Sequence, residues 1–304
     1  MKLEKGDIVD IIAPASGCTE AEYDKAIEFV RKFGLTPRFR EYNNVIKPGL
    51  CANTIDYRFE HLMDAIESES KAIWCLKGGY GSQKLLKKLD GLYDNPPEEK
   101  IFIGFSDITI LLNHFSDRWG WTPLHGPMPG QVGTVSEDTW QRLADIVFGK
   151  VDKVEFAAKP LNKAATKTGL VQGKFVGGCL SLLQALIGTE HMLDLECCVL
   201  LLEDDRFETP RRIDRILDQM KRANMFNPVE AVVLGNFLES PDEGSKDASE
   251  LKEVLESFAD YLDEKGIPLI QNTKLGHSED MLTLPIGAYV EVKLGEKTEV
   301  EIRV

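Results

Sequence analysis

Short, continuously apolar runs alternate with stretches of helical period along the first 120 residues. Ile8 to Ala13 reads as a buried strand, and Glu20 to Phe33 carries Ala21, Ala26, Ile27, Val30 and Phe33 at near-helical spacing. A helix over Tyr57 to Ser68 then leads into the apolar strand Ala72 to Leu76, a Gly-Gly turn and a helix from Gln83 to Leu89. The third unit is the strand Ile101 to Phe105, followed at once by the helix Asp107 to Trp119. Strands apolar throughout and alternating with helices predict a parallel sheet covered on both faces, of Rossmann or flavodoxin-like form. Ligands bind such sheets beyond the carboxyl ends of the strands, so the turns after Leu76 and Phe105 are the first candidate sites.

Between Gly149 and Thr168 the pattern lapses into a Lys, Ala and Thr-rich stretch with one proline, which reads as an exposed interdomain connection. Beyond it come an apolar segment from Val176 to Ile187, a strand Cys197 to Leu202, a helix Pro210 to Ala223 and a strand Ala231 to Leu234. A helix Ser249 to Lys265 and closing strands around Leu269, Tyr289 and Val300 complete the chain. A length of 304 residues favours two domains. The fold class expected is α/β, with a parallel-sheet domain over 1–155, a linker over 156–168 and a smaller mixed α/β domain over 169–304.

Composition removes several function classes. The 50 acidic against 36 basic side chains give a net charge of −14, which repels nucleic acid and anionic membrane surfaces. The first ten positions include acidic residues, and the apolar run from Phe175 to Ile187 is interrupted by Gly177, Gly178, Ser181 and Gln184 and is too short to span a bilayer. No leader or anchor is expected, and a cytoplasmic location follows. Six cysteines without a CxxC pair, two of them adjacent at 197 and 198, read as reduced thiols. Five histidines without HExxH spacing suggest no metal site, and no cofactor is expected.

Four local patterns could carry chemistry. In IFIGFSDITILLNHF, Ser106 sits between strand and helix, where it is either an ordinary helix N-cap or the nucleophile of a strand-to-helix elbow. The turn KGGYGS, Lys77 to Ser82, allows a backbone close to a ligand, but its glycine spacing is not that of a phosphate loop. Glu203 ends an apolar strand; an isolated acid there belongs at the solvated rim unless a base holds it. His277, between Gly276 and polar residues, reads as a solvated loop histidine when taken alone.

Six blocks in order change that reading: ANTIDYRFEHLMDAIESESKAIWCLKGGYGSQKLL, IFIGFSDIT, HGPM, GGCLSLLQALIGT, LLEDDRFETPRRIDRIL and LGHSEDMLTLPIGA. Together they resemble the motifs of the LD-carboxypeptidase family of serine peptidases over nearly the whole chain. The resemblance implies Ser106 as nucleophile, His277 as base and Glu203 as the acid that orients it. It further implies an oxyanion hole from the Asp107 amide and Gly79, with Gly78, Tyr80 and Gly81 contacting substrate. Because the order Ser, Glu, His spans both expected domains, the site would form where they meet. The implied activity is removal of the terminal D-alanine from murein tetrapeptides in cell-wall recycling, by a homodimer acting on a small peptide without metal or cofactor. A related branch, the microcin C self-immunity peptidases, hydrolyses aminoacyl or peptidyl nucleotide conjugates. A non-catalytic ligand-binding domain on the same fold is the remaining alternative. One departure stands out: Cys179 occupies the place where the family pattern leads to an asparagine.

Overall fold

The computed structural model describes residues 1–39, 50–92, 96–205, 208–237 and 246–304. Among these, the strands in chain order are β1 (Ile8–Ile12), β2 (Thr36–Arg38), β3 (Ala72–Cys75), β4 (Ile101–Gly104), β5 (Leu124–His125), β6 (Lys153–Pro160), β7 (Gly169–Cys179), β8 (Cys198–Glu203), β9 (Val229–Leu234), β10 (Leu269–Gln271), β11 (Leu284–Pro285), β12 (Tyr289–Leu294) and β13 (Thr298–Arg303). Two compact units result, Met1–Asp152 with Glu279–Ile286 and Lys153–Ser278 with Gly287–Val304. Among the described residues, no helix is long and apolar enough to cross a membrane.

The first unit is built on a six-stranded sheet of order β11-β5-β4-β3-β1-β2. Its first five strands run parallel, and β11 returns late in the chain to pair antiparallel with β5. Every residue of β3 and β4 is buried, as continuous apolar runs predict for a sheet with both faces covered. The first crossover helix, Glu20–Phe33, starts at Thr19 with a reciprocal capping box to Glu22 and stops at Gly34 in the left-handed region. Wholly buried Trp74 anchors the core, its ring edge-on to Phe29, Phe33 and Trp140 and its Nε1 donating to the Pro127 carbonyl at 2.9 Å. Parallel strands put the loops after β1, β3 and β4 at one edge of the sheet, and those loops carry Ser16, the Lys77–Ser82 turn and Ser106.

The second unit is a closed seven-stranded barrel of order β10-β6-β13-β12-β7-β8-β9. One side, β7-β8-β9-β10, is parallel; the other, β10-β6-β13-β12-β7, is antiparallel. Mixed α/β was the expectation, and closure into a barrel was not part of it. The stretch read as a linker over 156–168 is instead largely strand β6 and the short helix Lys163–Thr166. In β6, Phe156 and Ala158 point inward while Glu155, Ala157 and Lys159 are exposed, so a period of two lay beneath a composition that looked like a linker. The segment from Val176 is likewise the buried end of the 11-residue β7, whose first half is mostly exposed.

All four tryptophans, at 74, 119, 121 and 140, belong to the first unit, so intrinsic fluorescence reports its unfolding. Trp74→Ala should destabilise that unit by about 3–5 kcal/mol in denaturant titrations. A loss under about 1 kcal/mol would contradict the core described.

Candidate active site

In the first unit, β4 ends at Gly104, Phe105 is extended (φ −162°, ψ −171°), and Ser106 turns into the left-handed region at φ +60°. Ser106 opens a single 3-10 turn, Ser106–Ile108, that feeds the helix Thr109–Trp119. The N-cap position falls on Phe105, not on Ser106, so the bland reading of this serine as a cap does not hold. A non-glycine residue at positive φ costs roughly 1–3 kcal/mol and persists where surrounding structure enforces it. The sharp strand-to-helix bend has the shape of a nucleophile elbow, a geometry able to lift a hydroxyl above the sheet edge.

Next to it, Asp107 is buried, with its carboxylate facing the Lys77–Ser82 turn. Its two oxygens accept from the amides of Gly81 (3.2 Å) and Ser82 (2.8 Å), and the Ser82 hydroxyl donates to the Asp107 carbonyl. Burial pushes the Asp107 pKa up, opposed by the bonds from Ser82 and Gly81 and by the nearby Arg58 charge. On the other side of the turn, the Ser16 amide donates to the Gly78 carbonyl at 3.2 Å and the Tyr80 amide to the Ser16 hydroxyl at 3.0 Å. Gly78 lies directly against the elbow: a Cβ there would meet Ser106 Cβ at 3.0 Å. The amides of Tyr80, Gly81 and Ser82 are thus committed internally, whereas among the described residues those of Gly78 and Gly79 make no hydrogen bond. The Tyr80 ring is exposed, with Lys84 Nζ 4.9 Å from its centroid.

In the second unit, Glu203 is the last residue of β8 and is fully buried, not at a solvated rim. The His277 side chain is only 12 % exposed. Its Nδ1 lies 2.7 Å from Glu203 Oε2, and its own amide donates to the same oxygen at 3.2 Å. Asn236, just beyond β9, donates from Nδ2 to the His277 carbonyl at 2.6 Å. Gly276, at φ +86°, is required here, because a side chain would fall on the Glu203 carboxylate. Burial lowers the His277 pKa, but the charge and hydrogen bond of Glu203, with the charges of Asp205 and Asp204, outweigh it and raise it from 6.5 to about 9. Nδ1 faces the acid, which gives a neutral imidazole its lone pair at Nε2, the geometry of a general base oriented by a carboxylate.

Cys179 is buried beside this pair, its Sγ 3.2 Å from Asp204 Oδ1 and 3.4 Å from Ser181 Oγ. Burial, then the charges of Asp204 and Glu203, hold the thiol well above its usual pKa, so it remains a neutral donor to Asp204. Asp204 also accepts from the Ser181 amide at 2.8 Å, and burial, then the Glu203 charge, raise its pKa to about 6.

Ser106, Asp107 and Gly78–Gly81 therefore come together in one unit, and Glu203 and His277 in the other. Ser16, Arg58, Asp204, Asn236 and the Asp107 carboxylate escaped the sequence reading. Asp204 and Asn236 carried a signal, as polar residues following the apolar parallel strands β8 and β9; Arg58 is one polar residue on an amphipathic helix and carried none.

Residues 9–126 match the N-terminal domain and residues 172–292 the C-terminal domain of the LD-carboxypeptidase family models. A Bacillus subtilis protein named "Probable murein peptide carboxypeptidase" is 31% identical over 98% of this chain and 92% of its own length. The murein tetrapeptide carboxypeptidase of Pseudomonas aeruginosa is 27% identical over 92% of this chain and 91% of its own. Among solved structures, an MccF-like protein of Bacillus anthracis superposes with a TM-score of 0.84 at 25% identity, covering 100% of this chain and 98% of that one.

A histidine pKa raised by folding means the Glu203–His277 bond contributes fully below pH 6.5, and that contribution is lost as pH rises through about 9. NMR titration of the His277 imidazole should give a midpoint near 9, falling in Glu203→Gln. A wild-type midpoint at or below 6.5 would contradict this pairing.

Proposed function

Because this chain belongs to the LD-carboxypeptidase family, we propose that it is a serine carboxypeptidase that removes the terminal D-alanine from murein tetrapeptides during cell-wall recycling. The observation that carries the reading is Ser106, a non-glycine residue at φ +60° immediately beyond a buried parallel strand. In this reading neutral His277 takes the Ser106 proton as the hydroxyl attacks the carbonyl of the last peptide bond. Glu203 holds the imidazole orientation and stabilises the imidazolium that forms. The amides of Asp107 and Gly79 receive the developing oxyanion. His277 then returns the proton to the departing amine of D-alanine, and a water activated by His277 releases the shortened peptide from Ser106. No step uses a metal or organic cofactor.

Substrate contacts fall to Gly78 and Gly81 through the shape of their turn and to the exposed face of Tyr80. Since the amides of Tyr80 and Gly81 are already committed, their contribution comes from position and not from donated hydrogen bonds. A cytoplasmic location and a homodimer, the latter implied by the family resemblance, complete the reading.

Mass-spectrometric digests of defined tri-, tetra- and pentapeptide muropeptides test the substrate. Tetrapeptide should lose one D-alanine and pentapeptide should be spared; faster hydrolysis of an aminoacyl-adenylate analogue would move the assignment to the nucleotide-conjugate branch. Ser106→Ala should cost at least about a thousand-fold in kcat with the fold intact, and unchanged turnover would end the serine mechanism. Because His277 must be neutral to act, kcat/KM should rise with pH towards about 9, and a flat profile from pH 6 to 9 would argue against its role as base.

A further inference from the structure

A pair of glycines lets the turn approach Ser106, but glycine is the residue with the most backbone freedom, and an oxyanion hole works only when its donors are fixed before the reaction. Something outside Gly78 and Gly79 must hold them. On the upstream side Ser16 does so, through the Gly78 carbonyl and the Tyr80 amide. On the downstream side the peptide units of Gly81 are gripped from both ends: its amide donates to Asp107 Oδ1 at 3.2 Å and its carbonyl accepts from Arg58 Nη1 at 2.9 Å.

Both side chains are buried, Arg58 at 2 % and Asp107 at 1 % exposure. Arg58 lies on the helix Ile55–Glu67 and also donates to the carbonyls of Pro14, beyond β1, and Asn53, before its own helix. One guanidinium thereby ties three separate stretches of chain together. Burying a carboxylate and a guanidinium is costly, and a turn needing only to be packed could be held by neutral groups. Hydrogen bonds to charged groups are roughly twice as strong as neutral ones and define direction, which is what a fixed donor pair requires.

Resting on the serine-hydrolase reading above, we propose that Asp107 and Arg58 are positioning residues for catalysis. Together they clamp the Gly81 peptide units and so hold the Gly78–Gly79 amides at a set distance from Ser106. Asp107 then has two functions on one residue: its main-chain amide is one oxyanion donor, and its carboxylate fixes the turn that bears the other.

The test uses the full-length chain with tetrapeptide substrate, measuring kcat, KM and thermal midpoint for Asp107→Asn, Arg58→Lys and Arg58→Met beside Ser106→Ala. Asp107→Asn keeps the main-chain donor and loses the double acceptor, and kcat should fall about 10- to 100-fold with KM within about two-fold. Arg58 variants should lower kcat in the order Met more than Lys, since an ammonium can still reach the Gly81 carbonyl. A folded Asp107→Asn with wild-type kcat, or a loss confined to KM, would overturn the clamp. If Asp107→Asn does not fold, the Arg58 series decides by the same criterion, and failure of all three to fold would assign the pair to stability and overturn the positioning role. Retained activity in Ser106→Ala would sink the underlying mechanism, whereas an inactive Ser106→Ala beside a fully active Asp107→Asn would sink the clamp alone.

Discussion

Ser106 occupies the left-handed region of backbone space at the end of a buried parallel strand, and much of the first unit can be understood as holding it there. The conformation is unfavourable for a residue with a side chain and has no local reason to persist. What enforces it is β4, fixed between β3 and β5, the 3-10 turn that begins at Ser106, and the glycine turn pressed against its Cβ. The loops beyond β1, β3 and β4 all meet at that edge, which is where open parallel sheets place their ligands.

The second unit solves a different problem, that of keeping a buried carboxylate beside an imidazole. Closure of the barrel fixes the ends of β8 and β9, and the segment carrying His277 is strung between them. The Gly235 amide donates to the Leu202 carbonyl at 2.8 Å, the Asn236 amide to the Leu275 carbonyl at 2.8 Å, and the Asn236 side chain to His277. Glu203 then holds the ring and the main chain of His277 through one oxygen. The same contact that orients the ring also raises the His277 pKa to about 9, so holding the imidazole in place favours its protonated form.

The parallel sheet was legible in the sequence because β3 and β4 are buried on both faces and therefore apolar at every position. The barrel was not, because β6 exposes every second residue and fills those places with Lys, Glu and Ala, while the first half of β7 is mostly exposed and carries glycines and Gln172 among its few apolar positions. Ser106, Glu203 and His277 each had an ordinary local explanation; only the order of motifs along the chain raised them above it. Arg58 and the Asp107 carboxylate were out of reach for a different reason. Their partners are main-chain atoms, 5, 23 and 44 residues away for Arg58 and 25 and 26 away for the Asp107 carboxylate, and main-chain partners leave no pattern in residue types.

The proposed role of Ser106 as nucleophile can be checked by labelling with a fluorophosphonate. Inactivation should track one phosphonyl group per chain, located on Ser106 by peptide mass mapping, since such reagents report a serine activated by its neighbours. Inactivation with the label on another residue, or undiminished turnover after full modification of Ser106, would exclude Ser106 as the nucleophile.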